Sequence, residues 1–468
     1  MTGGAPDVRD IRAPLLLAAS APMILGPTMH LGAWFVVVAV LTLLLAVWVV
    51  VRRAPLAVPA VAARRLERSI FLLLTVVGLL GAIALVPSRL DAAGRWALVA
   101  AVGASGVALV VAAWTERRRL MLAAGIGYVA ALALSAHLAV VHLDVLTFHD
   151  GAARALLHGI SPYGITYPNP FDARETQAFY GSGLATPDRI LVGYPYPPAS
   201  LLLVLPAYVL GDTRFAMVAA VAVTSLVLHR YLSRSAVAPT WLASAAPVLL
   251  LMPGMVYVVR NGWTEPLVLV LLALTVVGAR RGWRATPYLL GAFLVTKQYS
   301  VLLLPLLWLL VPTARRSAGG VRGFSVRTVL TGLVLSLPLA ALDPAGFWRS
   351  IVAFQFEQPF RRDSFSLAAV LSRWTSWPVE SVAGVLSLVA ALVLATVVAS
   401  RAPRTPEAFS AAVGVTLFVA FLLSKQAFAN YYFLAVGAVL VAIAAGFGSG
   451  VGDTAADAAP VGRPGHRK

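Results

Sequence analysis

The chain has 468 residues, 60% of them hydrophobic and only 12% charged, with a mean hydropathy of +0.85 and a formal net charge of +18. A soluble domain carries about a quarter charged residues, so this composition excludes a water-soluble globule and requires lipid as the solvent for most of the surface. Cysteine is absent, which excludes disulfides, thiolate nucleophiles and Cys-ligated metals, and the basic residues lie in short loops between apolar runs, as in cytoplasmic loops, rather than on a nucleic-acid-binding face.

Arg9 and Arg12 precede the first apolar stretch, and no small-residue cleavage site follows, so a retained first helix is expected rather than a signal peptide. Apolar spans are predicted at 13–29, 32–51, 70–87, 96–114, 120–142, 213–230, 240–258, 265–279, 286–296, 300–312, 328–342, 379–400, 408–423 and 431–447. Ala33–Val51 and Trp96–Trp114 carry no charge at all, close to the roughly 20 residues that a bilayer core needs. The predicted fold is therefore an all-α, polytopic membrane protein of about 14 transmembrane helices, with short helices in its outer loops.

Arginine places the loops. Arg52, Arg53, Arg64, Arg65 and Arg68 fill one, and Arg117–Arg119, Arg280/Arg281/Arg284, Arg315–Arg327 and Arg401/Arg404 fill others. With these inside, both termini are cytoplasmic. The apolar segment 199–210 is short, contains Pro206, and would break this parity if it crossed, so it is read as re-entrant or interfacial. Most acids then fall outside, concentrated in two polar loops, 143–198 and 343–378. Three regions result: an N-terminal four-helix membrane module, 1–119; a membrane core, 120–447; and a flexible cytoplasmic tail, 448–468. The expected location is the plasma membrane, with the polar loops on the outer face.

The first polar loop opens with His142-Leu143-Asp144 and continues to His149-Asp150. Gly151–His158 reads as a short helix, with Gly159 in the C′ position and Pro162 beyond it, where a helix cannot continue. The stretch from Tyr167 to Arg189 is polar and reads as irregular. The chain returns through Gly193-Tyr194-Pro195-Tyr196-Pro197-Pro198, a stiff proline run with tyrosines suited to the membrane interface.

Asp144, Phe148, Ala152-Ala153, Leu156, Gly159, Tyr163 and then Tyr196-Pro197-Pro198 together resemble the first-loop signature of the polyprenol-phosphate-mannose-dependent α-mannosyltransferases of actinobacterial envelope biosynthesis, which are GT-C-type membrane glycosyltransferases. The match covers roughly 60 residues, with a weaker likeness of layout to about residue 430. The family starts its catalytic loop after the first helix, whereas here about four further helices precede it, and the loop is longer. The resemblance implies inverting transfer of a hexose, mannose by analogy, from a polyprenyl-phosphate sugar to a glycolipid or cell-envelope glycan acceptor. It implies Asp144 as the general base, with no cofactor, no metal and no nucleic acid, and with membrane lipid as the surrounding partner.

Such a reaction needs a carboxylate to take the acceptor proton and cations to hold the leaving phosphate. Asp144 is the candidate base, with a helix N-cap as the alternative. Asp150 is read as a cap or a sugar contact; on one helix the two aspartates would point about 240° apart. The chain has three lysines: Lys297, Lys425 and Lys468. Lys297-Gln298 and Lys425-Gln426 lie at two outer tips and could clamp one phosphate or snorkel to headgroups. Arg260 and Glu265 flank a tight outer turn, as an ion pair or as site residues. Arg361 and Arg362 could hold the donor phosphate or rest on anionic lipid. Tyr163 and Tyr196 complete the candidate substrate contacts, and Asp212 with Arg214 reads as a structural pair. The spacing of His137, His142, His149 and His158 does not give a zincin-like ligand face. Competing classes are a transporter or flippase of a lipid-linked or small polar substrate, and a non-catalytic accessory protein.

Overall fold

A computed structural model describes residues 8–22, 33–51, 56–88, 90–115, 117–234 and 249–447. The tail 448–468, Arg52 and Arg53, and parts of the predicted spans 13–29 and 240–258 lie outside the described residues. The described chain is a bundle of α-helices, and nine of its helices are long and apolar enough to cross a membrane. The protein is therefore an all-α, membrane-embedded protein.

A two-stranded antiparallel pair, β1 (Val8–Asp10) and β2 (Ala57–Pro59), ties the N-terminal segment together, with Arg9 opposite Val58. The helices follow in order: α1 (Arg12–Ser20), α2 (Ala33–Val51), α3 (Ala60–Ala84), α4 (Ala92–Trp114) and α5 (Arg118–Leu138). The first polar loop supplies α6 (Asp144–Leu157), the strand β3 (Tyr167–Pro168), α7 (Ala173–Tyr180) and the strand β4 (Arg189–Ile190). Next come α8 (Pro198–Val209), α9 (Arg214–Ser233), α10 (Met255–Arg260), α11 (Glu265–Arg281) and α12 (Thr286–Leu294). A 3₁₀ segment, Gln298–Leu310, runs into α13 (Val311–Arg316), and α14 (Gly320–Leu342) follows. The second polar loop carries α15 (Pro344–Trp348), a π turn Arg349–Ala353, α16 (Phe354–Glu357) and α17 (Leu367–Trp374). The chain closes with α18 (Val379–Arg401), α19 (Pro406–Leu423) and α20 (Ala429–Phe447).

The bundle is centred on α20, whose apolar window is 89% buried, while that of α14 is only 17% buried. Val329, Leu330, Val334 and Leu337 on α14, and Val385, Leu386, Val389 and Val393 on α18, are exposed. So continuous an apolar belt needs hydrocarbon around it, and the intrahelical bonding of these segments suits that solvent.

Several expectations are corrected: the span expected at 70–87 begins at Ala60, so Arg64, Arg65 and Arg68 lie inside α3, and the stretch 167–189 expected to be irregular carries α7. The loop helix expected at Gly151–His158 starts seven residues earlier, at Asp144, because nothing between Asp144 and Gly151 interrupts the backbone ladder; its C-terminal Gly159 does adopt positive φ, 73°. The span expected at 328–342 begins at Gly320, so Arg322 and Arg327 lie inside a helix, and Arg327 bonds the Gly323 carbonyl within it. The span expected at 300–312 is a 3₁₀ segment containing Pro305, continued to Arg316. Segment 199–210 forms a short apolar helix, α8. The Ser200 hydroxyl at its start donates to the Thr296 carbonyl, and at its end Arg214 donates to the carbonyls of His137 and Ala139. Both ends of α8 thus lie at one end of the bundle.

Candidate functional site

The site is assembled at that end from both polar loops and from the tips between helices. α6 packs through Val145, Phe148, His149, Ala152, Ala153 and Ala155, all buried. Gly151 sits so close to Tyr167 that an added Cβ would lie 2.7 Å from its ring. The Tyr163 hydroxyl donates to the Tyr196 carbonyl at 3.0 Å, and the Tyr167 hydroxyl to the Pro162 carbonyl at 2.8 Å. Tyr163 is therefore a buried strut that sets Tyr196. His149 is fully buried, with Nε2 3.1 Å from the Gly262 carbonyl and Nδ1 3.0 Å from the Tyr194 hydroxyl. This pattern assigns the Nε2–H tautomer. Burial lowers the His149 pKa to about 3, with the Gly262 bond opposing and the Lys297 charge assisting, so the ring is neutral.

Asp144 is the first residue of α6, and Leu143 holds the N-cap position. Its Oδ2 accepts a hydrogen bond from the Tyr180 hydroxyl at 2.5 Å. Burial raises its pKa above the usual aspartate value; the Tyr180 bond, backbone bonds of the first turn and the Arg361 charge pull the other way. Asp150 shares the helix but is exposed, and faces Thr213, Asp212, Arg214 and Arg154 instead. It is mid-helix, so the capping role expected for it is corrected. The angular separation of the two aspartates on one helix puts them in different neighbourhoods.

Lys297 occupies the centre of the neighbouring cluster. Its ammonium lies 3.1 Å from Glu265 Oε1, donates to Thr264 Oγ1 at 2.5 Å, and sits 4.1 Å over the Tyr196 ring. Glu265 is fully buried, with the Lys297 ammonium beside it and the Tyr299 hydroxyl facing it, although its oxygens accept no well-aligned hydrogen bond. Tyr196, Tyr299 and Tyr431 all feel the Glu265 charge, and Tyr196 and Tyr431 also feel that of Asp144. The two carboxylates thus share one tyrosine lining. The expected Arg260–Glu265 pair does not form. Arg260 reaches the Leu85 carbonyl at 3.4 Å, and Lys297 takes Glu265 because the turn at Thr264 aims the carboxylate at the 3₁₀ tip.

Arg361 of the second polar loop lies 3.6 Å over the Phe179 ring and 5.0 Å from that of Phe428, paired with Asp363 at 2.6 Å. Its backbone N–H donates to the Lys425 carbonyl at 3.0 Å. The Lys425 ammonium donates to the carbonyls of Phe356 (3.1 Å) and Gln358 (2.6 Å), and Gln426 donates to that of Pro359 (3.1 Å). Lys425 and Gln426 therefore pin the loop that carries Arg361. Gln298 pins the return segment through the Pro195 carbonyl at 3.0 Å, leaving its buried Oε1 without a partner. Arg362 pairs with Glu380 at the surface, and Asp212 with Arg214 at 2.7 Å as expected. His137 bonds Asp212 and His158 bonds its own helix, so these histidines have separate duties.

The structure therefore groups Asp144, Arg361, Tyr196, Lys297 and Glu265. It places Asp150 and Arg260 elsewhere and gives Tyr163, Gln298, Lys425 and Gln426 bracing contacts. Tyr180, Tyr299, Tyr431, Phe179 and Phe428 were not singled out in the sequence. One signal was available: Asp172-Ala173-Arg174-Glu175 spells a capping box, which the structure forms at the start of α7, the helix that carries Tyr180. No protein-family model, no curated protein and no solved structure matches this chain.

Proposed function

We propose that the protein is a polyprenyl-phosphate-sugar-dependent hexosyltransferase of GT-C type, with mannose as the leading sugar. In this reading it is a multi-pass plasma-membrane protein of about 14 spans, with both termini cytoplasmic and the site on the outer face. Asp144 takes the proton from the acceptor hydroxyl as that oxygen attacks the anomeric carbon, and the bond to the lipid phosphate breaks with inversion. Arg361 and Lys297 are the cations nearest the acting carboxylates, and they offset charge on the departing phosphate. The acceptor is a glycolipid or envelope glycan.

One observation carries this reading: two carboxylates and two cations lie within one lining of tyrosine and phenylalanine at the end of the bundle that carries both polar loops. Aromatic faces pack against the C–H faces of a sugar, while carboxylates accept from its hydroxyls. Glu265, beside Lys297 and facing the Tyr299 hydroxyl, adds polar groups to that lining which a sugar hydroxyl can engage. The test is transfer of a labelled hexose from polyprenyl-phosphate donors in membranes, wild type beside Asp144→Asn. Transfer by the wild type that collapses in Asp144→Asn supports the reading. Transfer undiminished by the substitution removes Asp144 as base, and no transfer from any lipid-phosphate donor removes the reading itself.

A further inference from the structure

Residues 167–190 make an excursion longer than a path back to the membrane requires, and they are built firmly. β3 and β4 close its base, with Tyr167 opposite Ile190. Arg189 clamps Thr166 through its Nε and Nη2, both at 2.7 Å, and Asn169 donates to Thr176 at 2.7 Å and to the Thr186 carbonyl at 2.9 Å. α7 starts in a complete capping box at Asp172 and Glu175 and stops at Gly181, whose φ of 64° turns the chain away. Its last two residues, Phe179 and Tyr180, point in directions about 100° apart. Phe179 lies under Arg361, and Tyr180 reaches Asp144. The Tyr180 ring is buried and stacks on Phe354 at 6.3 Å, so its hydroxyl has a fixed position.

We infer that Tyr180 is a positioning residue for Asp144: its hydroxyl, delivered by α7, holds the carboxylate in one orientation and favours its ionised form. This rests on Asp144 being the acting base of the proposed reaction. The groups facing Asp144 are Tyr180 from α7, Arg361 from the second polar loop, Tyr196 from the return segment and Tyr431 from α20. Of these, Tyr180 makes the direct side-chain hydrogen bond. A donor to the charged form stabilises that form, so removing the hydroxyl raises the pH at which Asp144 loses its proton.

The test uses the full chain in lipid nanodiscs and a hydrophobic carbodiimide, which reacts with a protonated carboxyl. Adduct on the Asp144 peptide is measured by mass spectrometry across pH. Tyr180→Phe keeps the ring and removes the hydroxyl; the labelling midpoint moves up by about one pH unit. Tyr167→Phe removes a buried hydroxyl from the same loop, one bonded to the Pro162 carbonyl, and leaves the midpoint where it was. An unchanged midpoint in Tyr180→Phe overturns the inference, as does an equal shift in Tyr167→Phe. Where turnover is measurable, the acid limb of Tyr180→Phe moves up by the same amount and activity recovers at higher pH; a pH-independent loss overturns the positioning role. Labelling needs no donor, so absence of transfer would end the transferase reading without touching this measurement.

Discussion

The two ends of α11 carry two ion pairs built to different plans. Arg280, in its last turn, meets Glu407, in the first turn of α19, with side chains 17% and 25% exposed. Each charge there also complements its own helix dipole, and the surroundings are of the same kind: Arg404 over Trp308 and Arg281 over Tyr231. At the other end, Glu265 and Lys297 are almost wholly buried, at 0% and 6%, among tyrosines. A pair so buried is a weak source of net stability, because desolvation offsets most of the attraction. The first pair is adequately explained by holding helices together. The second shares its tyrosine lining with Asp144.

The largest effect that would sharpen this contrast is on turnover. Asp144→Asn should lower hexose transfer by about 10²–10⁴-fold while leaving the thermal unfolding midpoint of the purified protein nearly unchanged. A comparable loss of stability would instead mark Asp144 as structural. The pH profile gives a companion check. In the proposed reaction Asp144 acts ionised, and burial raises its pKa, so transfer should fall as pH drops through a midpoint above the ordinary aspartate value of about 3.9.

Next comes stability at the buried pair. Glu265→Gln or Lys297→Met alone leaves an uncompensated buried charge and should cost about 3–5 kcal/mol. The double variant Glu265→Gln/Lys297→Met should regain much of that stability but not the transfer activity. Recovery of both in the double variant would reduce the pair to a scaffold. Glu407→Gln, at the more exposed pair, should cost about 1–2 kcal/mol and leave transfer rates as they were; a lost rate there would erase the distinction between the two ends. Smallest is Arg362→Ala. Its pair with Glu380 is largely exposed, so denaturation should shift by no more than about 0.5 kcal/mol.

Parts of this site are legible in the amino-acid sequence alone. Asp144, Lys297, Glu265 and Arg361 stand out because charges are scarce and cluster in polar loops between apolar runs. Gly159 announces the end of α6, and its positive φ follows. Lys425 shows where such reading fails. Its rarity and its place at a helix tip suggest a phosphate ligand, but its ammonium is bonded to two carbonyls 67 and 69 residues away in sequence. Tyr180 shows the converse, since nothing in its own neighbourhood announces a carboxylate partner 36 residues earlier.

What the sequence determined by itself is the class of the protein and the approximate placement of its apolar helices. In hydrocarbon every backbone polar group must find its partner within the segment, so an uncharged apolar run of sufficient length has essentially one available structure. Which polar side chains meet was decided only by tertiary structure. The Tyr180–Asp144 bond, the preference of Glu265 for Lys297 over Arg260, and the bracing role of Lys425 depend on how two distant loops fold over the same helix tips. Those choices turn on ångström-scale geometry and competing desolvation costs, which no local pattern of residues records.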